Sequence, residues 1–196
     1  ALSGYDQFEN AIEIYKRALQ LQPALVDAQI GLAEALAQKV NTGKVENDEL
    51  DSAGLEVNTA DFHNSRGIEL AEKGAFDAAV SDYNQALQIR PDYAEVYNNL
   101  GLVLMKKGQL NLARKNFERA VEIKPDFAAG HFNLGNYFFK KDNLESAINS
   151  YQAALAIDAT YAEVLNNLGN AYSKSKQTDL ALKNYKAALE LKPDYI

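Results

Sequence analysis

Asn99, Asn133 and Asn167 stand 34 residues apart. A carboxamide carries both a hydrogen-bond donor and an acceptor, so one side chain can hold one peptide group through two bonds. Three in register form a ladder able to hold an extended chain by its backbone, with little preference for side chains. Asparagine is a poor interior helix residue because its amide competes with the backbone, so its recurrence in helical segments points to a use. Lys106, Lys140 and Lys174 recur at the same interval. They would make a basic stripe beside the amides, attractive to an acidic or carboxylate-ended ligand. Near helix C-termini they also complement the helix dipole, and that competing reading stays open.

Other reactive residue types assemble into nothing comparable. There is no cysteine, which excludes disulfides, thiolate metal sites and cysteine nucleophiles. His63 and His131 share one place in the repeat, where a ligand set of several convergent groups is missing, so packing is the expected role. Asn47, Glu49 and Asp51 alternate in the manner of a calcium loop, but the required glycine and distal glutamate are misplaced. No Ser-His-Asp set, phosphate-cradling glycine loop or carboxylate pair stands out. The chain is expected not to be an enzyme, and neither a cofactor nor a metal is implied.

The elements that must carry these residues are legible from the stretch Ala94 to Phe127. Val96, Tyr97, Leu100 and Leu104 make one helical stripe, and Leu110, Ala113, Phe117, Ala120, Val121 and Ile123 make a second. Lys106 to Gly108 forms the turn between them, and Pro125 ends the pair. The pattern repeats. Gly67, Gly101, Gly135 and Gly169 keep the 34-residue spacing, as do Ala79, Ala113, Ala147 and Ala181, and Ala86, Ala120, Ala154 and Ala188. Tyr83, Phe117, Tyr151 and Tyr185 hold one aromatic position. Pro91, Pro125 and Pro193 hold the stop, with Ala159 in place of the fourth proline. A fixed period of this length in helix pairs is the mark of a helical solenoid.

These residues resemble the tetratricopeptide repeat family. The resemblance implies an all-α fold, a right-handed solenoid of helix-turn-helix repeats whose first helices line a concave surface. On the family's ligand-facing positions it implies a peptide-binding set of Asn98, Asn99, Leu102, Met105, Lys106, Phe132, Asn133, Asn136, Phe139, Lys140, Asn166, Asn167, Asn170 and Lys174. The amide ladder is similar to that in the repeat region of O-linked N-acetylglucosamine transferases. Two competing readings stay open: the asparagines stabilise neighbouring repeats, and the apolar residues are buried between them. In members that clamp acidic chaperone tails a lysine stands where this chain has Phe132, so that clamp is incomplete here.

The period divides the chain into the second half of a truncated repeat (1–25), a degenerate repeat (26–59) and four regular repeats (60–93, 94–127, 128–161 and 162–195). A first helix is expected over about 27–39. For the acidic segment 40–59 two readings are open, a short irregular helix near 48–53 or a mobile loop. The chain is expected to begin inside a repeat and to belong to a longer protein. Its net charge of −7 argues against nucleic acid and anionic membrane surfaces. No apolar run is long enough to span a membrane.

The function expected from this is non-catalytic: a protein-protein interaction module that binds an extended peptide or partner segment in the concave groove, for scaffolding or complex assembly. Two alternatives remain, a substrate-targeting repeat arm of a larger enzyme and a scaffold that self-associates through uncapped ends. Compartment is not legible.

Overall fold

The structure is a computed structural model that describes residues 4–22, 28, 31, 32, 35 and 60–193. Among these every element is helical: α1 (Gly4–Leu21), α2 (Ala60–Glu72), α3 (Phe76–Ile89), α4 (Ala94–Lys106), α5 (Leu110–Ile123), α6 (Ala128–Lys140), α7 (Leu144–Ile157), α8 (Ala162–Lys174) and α9 (Thr178–Leu191). They fall into two compact units, one within residues 1–91 and one within 92–196. Segment 40–59, with Asn47, Glu49 and Asp51 and both readings of its structure, lies outside the described residues, as does most of the helix expected over 27–39.

The first unit contains the hairpin of α2 on α3. It also contains α1, where Ile12 is buried with Leu32 and Ala35, and Tyr15 and Leu19 pack against them. Gly31 lies directly against the Tyr15 ring. In the regular repeats the order is reversed, the glycine preceding its aromatic by 16 residues, as in Gly67 and Tyr83.

The second unit stacks three hairpins, α4 on α5, α6 on α7 and α8 on α9. α5 packs on α6 and α7 on α8, while α4 touches α6 and α6 touches α8. The first helices therefore form one row. This is solenoid packing, in which each repeat buries its faces on its neighbours.

The repeated small residues make the close approach possible. A methyl built on Gly101 would stand 2.5 Å from Phe117 Cε1, and one on Gly135 would stand 2.5 Å from Tyr151 Cε1. The alanines behind the rings are sealed, Ala113, Ala120, Ala147 and Ala154 all at 0% exposure.

Each first helix stops at the same place. Gly74, Gly108, Asp142 and Lys176 have φ of 76°, 75°, 61° and 63°. The following amide then reaches back to the helix, as in Gln109 N–H to Leu104 C=O at 2.9 Å and Gln177 N–H to Tyr172 C=O at 2.9 Å, which is the Schellman stop. Asp77, Glu145 and Asp179 lie in the first turns of α3, α7 and α9, where the dipole favours them. Of the second-helix caps, Asn143 is the one whose side chain accepts a backbone hydrogen bond, from Ser146 N–H at 3.2 Å. Where Ala159 replaces the stop proline, Asp158 accepts from both the Thr160 N–H (2.9 Å) and its hydroxyl (2.7 Å), turning the chain by side-chain bonding instead. Those bonds hold the Asp158 carboxyl below its ordinary pKa.

Candidate functional site

Residues three and four apart share a helix face. Asn133, Asn136 and Lys140 therefore line one side of α6, and Asn167, Asn170 and Lys174 the matching side of α8. Contact between successive first helices brings these rows together.

The amides are bonded across the repeats. Asn133 donates from Nδ2 to Asn98 Oδ1 at 2.8 Å, and Asn167 donates from Nδ2 to Asn136 Oδ1 at 2.9 Å. Asn166 lies farther from its neighbour, its Nδ2 3.5 Å from Asn167 Oδ1. Two hairpin tyrosines join the network. The Tyr151 hydroxyl donates to Asn136 Oδ1 and the Tyr185 hydroxyl to Asn170 Oδ1, each at 2.8 Å. Burial pushes the Tyr151 phenol well above its ordinary pKa, against a hydrogen bond from Asn167 that favours its ionised form.

Exposure sorts the sequence candidates. Asn99, Asn133, Asn136, Asn166 and Asn167 are half-buried, and Asn170 is exposed. Leu102, Met105 and Phe139 are half-buried, while Lys106, Lys140 and Lys174 are exposed. Two candidates move off the surface. Asn98 is 6% exposed and accepts the bond from Asn133. Phe132 is also 6% exposed, its ring 5.2 Å from that of Tyr161 and 6.1 Å from that of Tyr151. Both lie beneath the face, because the helix rotation that turns Asn99 and Asn133 outward turns their preceding residues into the repeat interface. The basic stripe is partly neutralised: Lys174 pairs with Asp142 at 2.7 Å and lies 5.3 Å over the Phe139 ring.

Charge divides unevenly along the chain. Residues 1–91 hold seven basic and fifteen acidic side chains, and residues 92–196 hold thirteen and twelve. The acidity is confined to the first unit's sequence, and the second is near neutral.

The first unit holds a polar cluster that the repeat pattern did not suggest. Asp82, at 3% exposure, accepts from Arg66 Nε at 2.9 Å and from an Arg66 terminal nitrogen at 2.5 Å, and its Oδ1 lies 2.9 Å from His63 Nδ1. The Arg66 guanidinium also lies 5.3 Å over the Phe62 ring. His63 is thus bonded within its hairpin rather than merely packed. A signal was available: Arg66 stands where Leu100, Leu134 and Leu168 stand, and Asp82 where Asn116, Ser150 and Asn184 stand. The carboxylate is satisfied by its own neighbours, which suits a helix lock. His131, at the corresponding place, faces the Pro125 carbonyl at 2.9 Å.

Among the described residues no three His, Asp or Glu side chains converge as metal ligands. Among them, too, no helix is long and apolar enough to cross a membrane.

Comparison with known proteins agrees with this architecture. No curated protein sequence matches the chain. Among solved structures it is similar to MamA 41-end from Desulfovibrio magneticus RS-1 (TM-score 0.66, 21% identity, 100% of this chain and 99% of that one). It is also similar to YrrB, described as a TPR protein with an unusual peptide-binding site (TM-score 0.63, 23% identity, 94% and 95%). A third similar structure is the APC/C hetero-tetramer Cut9–Hcn1 (TM-score 0.70, 22% identity, 97% of this chain and 38% of that one). A family model described as TPR repeat matches residues 67–108, 103–142 and 135–176. Models described as tetratricopeptide repeat match residues 162–195 and 6–25. With more than half of its residues so matched, and one period running through them, the chain belongs to the tetratricopeptide repeat family.

Proposed function

We propose that the second unit binds an extended segment of a protein partner along the face made by α4, α6 and α8, as a step in complex assembly. Tetratricopeptide repeat chains are protein-interaction modules, and the row of amides is what locates the interaction here. Asn133 donates to Asn98 and Asn167 bonds both Asn136 and Tyr151 of the preceding repeat, and the oxygen of each retains bonding capacity on the face. Exposed Lys106, Lys140 and Lys174 and half-buried Leu102, Met105 and Phe139 flank them. Asn98 and Phe132 support the face from beneath. The register of the amides, which resembles that of the transferase repeats, favours main-chain recognition. YrrB, with its described peptide-binding site, gives a precedent for peptide recognition on this fold.

The test is selection of dodecapeptides from a random library on the intact chain, followed by titration against an Asn133→Ala/Asn167→Ala variant. Each hydrogen bond is worth about 0.5–1.5 kcal/mol, so the pair should weaken binding roughly ten-fold or more. Equal affinity for the variant and the parent, with the helical signal of both intact, would place binding elsewhere.

A further inference from the structure

The amides on α6 and α8 have a fixed polarity. Asn136 Oδ1 accepts from both the Tyr151 hydroxyl and Asn167 Nδ2, which fills its lone pairs. Asn170 Oδ1 accepts from the Tyr185 hydroxyl. A planar carboxamide held by its oxygen turns its NH2 group the other way, so both residues present donors. Asn133 and Asn167 are held in the opposite sense. Each gives an N–H to the preceding repeat, which turns the oxygen away from that bond as an acceptor; Asn167 Oδ1 also lies 3.5 Å from Asn166 Nδ2 and keeps a second lone pair.

On each helix the acceptor residue and the donor residue are three apart, with Cβ atoms about 5–6 Å from each other on one face. Two successive first helices thus repeat the same acceptor–donor pair. Within the second unit the hydroxyl and the amide also occur together. Where the aromatic is Phe117, the residue at the place of Asn136 is Leu102, and where it is Tyr151 or Tyr185, that residue is asparagine. In the first unit, by contrast, Tyr83 goes with Ile68 at that place.

We propose that Tyr151 and Tyr185 are positioning residues for ligand recognition: they hold Asn136 and Asn170 with their donors toward the ligand, beside the acceptors of Asn133 and Asn167. The face then matches the N–H and C=O groups of an extended main chain. The partner it fits is an extended protein segment with free backbone N–H groups, read with little regard to its side chains. Proline-rich segments, which lack those groups, fit poorly. This rests on the peptide-face reading above.

Two measurements separate the two ideas. The first needs no ligand. The side-chain NH2 resonances of Asn170 should shift and broaden in Tyr185→Phe, while those of Asn136 in Tyr151→Phe should change less, because Asn167 still holds its oxygen. Unchanged Asn170 signals in Tyr185→Phe overturn the positioning role. The second uses the selected dodecapeptides and their backbone-ester analogues, in which amide N–H is replaced by oxygen. Tyr151→Phe/Tyr185→Phe should weaken binding roughly two- to twelve-fold with helical content intact, and the esters should lose a similar factor on the unaltered chain. Affinity that falls in Asn133→Ala/Asn167→Ala but not in the tyrosine variant overturns the positioning and leaves the face standing. Affinity indifferent to all four residues, or a library that yields no binder, overturns both.

Discussion

Asn133 on α6 donates a 2.8 Å hydrogen bond to Asn98 on α4, tying one repeat to the next through two side chains 35 residues apart. Asn98 is buried, so its oxygen depends on that donor. Asn133→Ala should cost about 1–3 kcal/mol, the penalty of an unsatisfied buried acceptor. Removing both partners should cost less than the two single changes added together, and a double-mutant cycle by chemical denaturation measures the coupling.

Two first-helix stops carry a side chain in a backbone region that favours glycine. Lys176→Gly should raise stability by up to about 1 kcal/mol, since the left-handed conformation costs an L-residue roughly 1–2 kcal/mol and glycine loses some of that gain in chain entropy. Asp142→Gly should act alike, because its pair with Lys174 is exposed and contributes little. Urea melts of both variants check this, with Gly74 and Gly108 as the chain's own precedents.

The Asp82 lock can be dismantled in two ways. Arg66→Leu restores the residue found in the other repeats but strips the buried carboxylate of two hydrogen bonds, and should cost roughly 2 kcal/mol or more. Adding Asp82→Asn, which removes the charge, should recover most of that loss. A double variant no more stable than Arg66→Leu alone would mean the ion pair is not what holds α2 to α3.

Tyr83 is 1% exposed, and burial, with Glu72 and Asp82 nearby, pushes its phenol up to about 12 from an ordinary value near 10. A raised value means the folded state favours the neutral form. That stability is fully present below pH 10 and is lost as pH rises toward 12. Tyr83→Phe should therefore move alkaline unfolding, followed by helical circular dichroism, to higher pH. Its effect at pH 7 should stay within about 1 kcal/mol, as Phe117 holds the equivalent place.

Leu155 on α7 and Leu189 on α9 occupy one repeat position with different surroundings. Leu155 packs against the core that includes Val164 and Ala171 of α8, while Leu189 is 44% exposed. Leu155→Ala should cost about 2 kcal/mol, and Leu189→Ala should stay within about 0.5 kcal/mol. Thermal melts of the pair compare the two directly.

Much of the architecture is local and repetitive, which is why it could be read in advance. Gly101 and Phe117 must lie on facing helices because a methyl would collide with the ring, and the same pair recurs three more times. Pro125 and the residue at 108 mark the ends of each helix by backbone conformation alone. The first helices of the regular repeats begin at 60, 94, 128 and 162, the first residue of each repeat, and Ala60 and Ala94 are buried there.

By itself the sequence determined the period, the helix pairs, the small and aromatic residues between them and the places of the amides, since each follows from steric fit or backbone preference within one hairpin. Only the tertiary structure decided which of two adjacent residues, Asn98 or Asn99, turns inward, which end of each amide is bound, and that Arg66 meets Asp82 across two helices. Those outcomes depend on helix rotation and on partners 16 to 35 residues away. A hydrogen bond reverses its meaning with a turn of the side chain, and spacing alone does not record that turn.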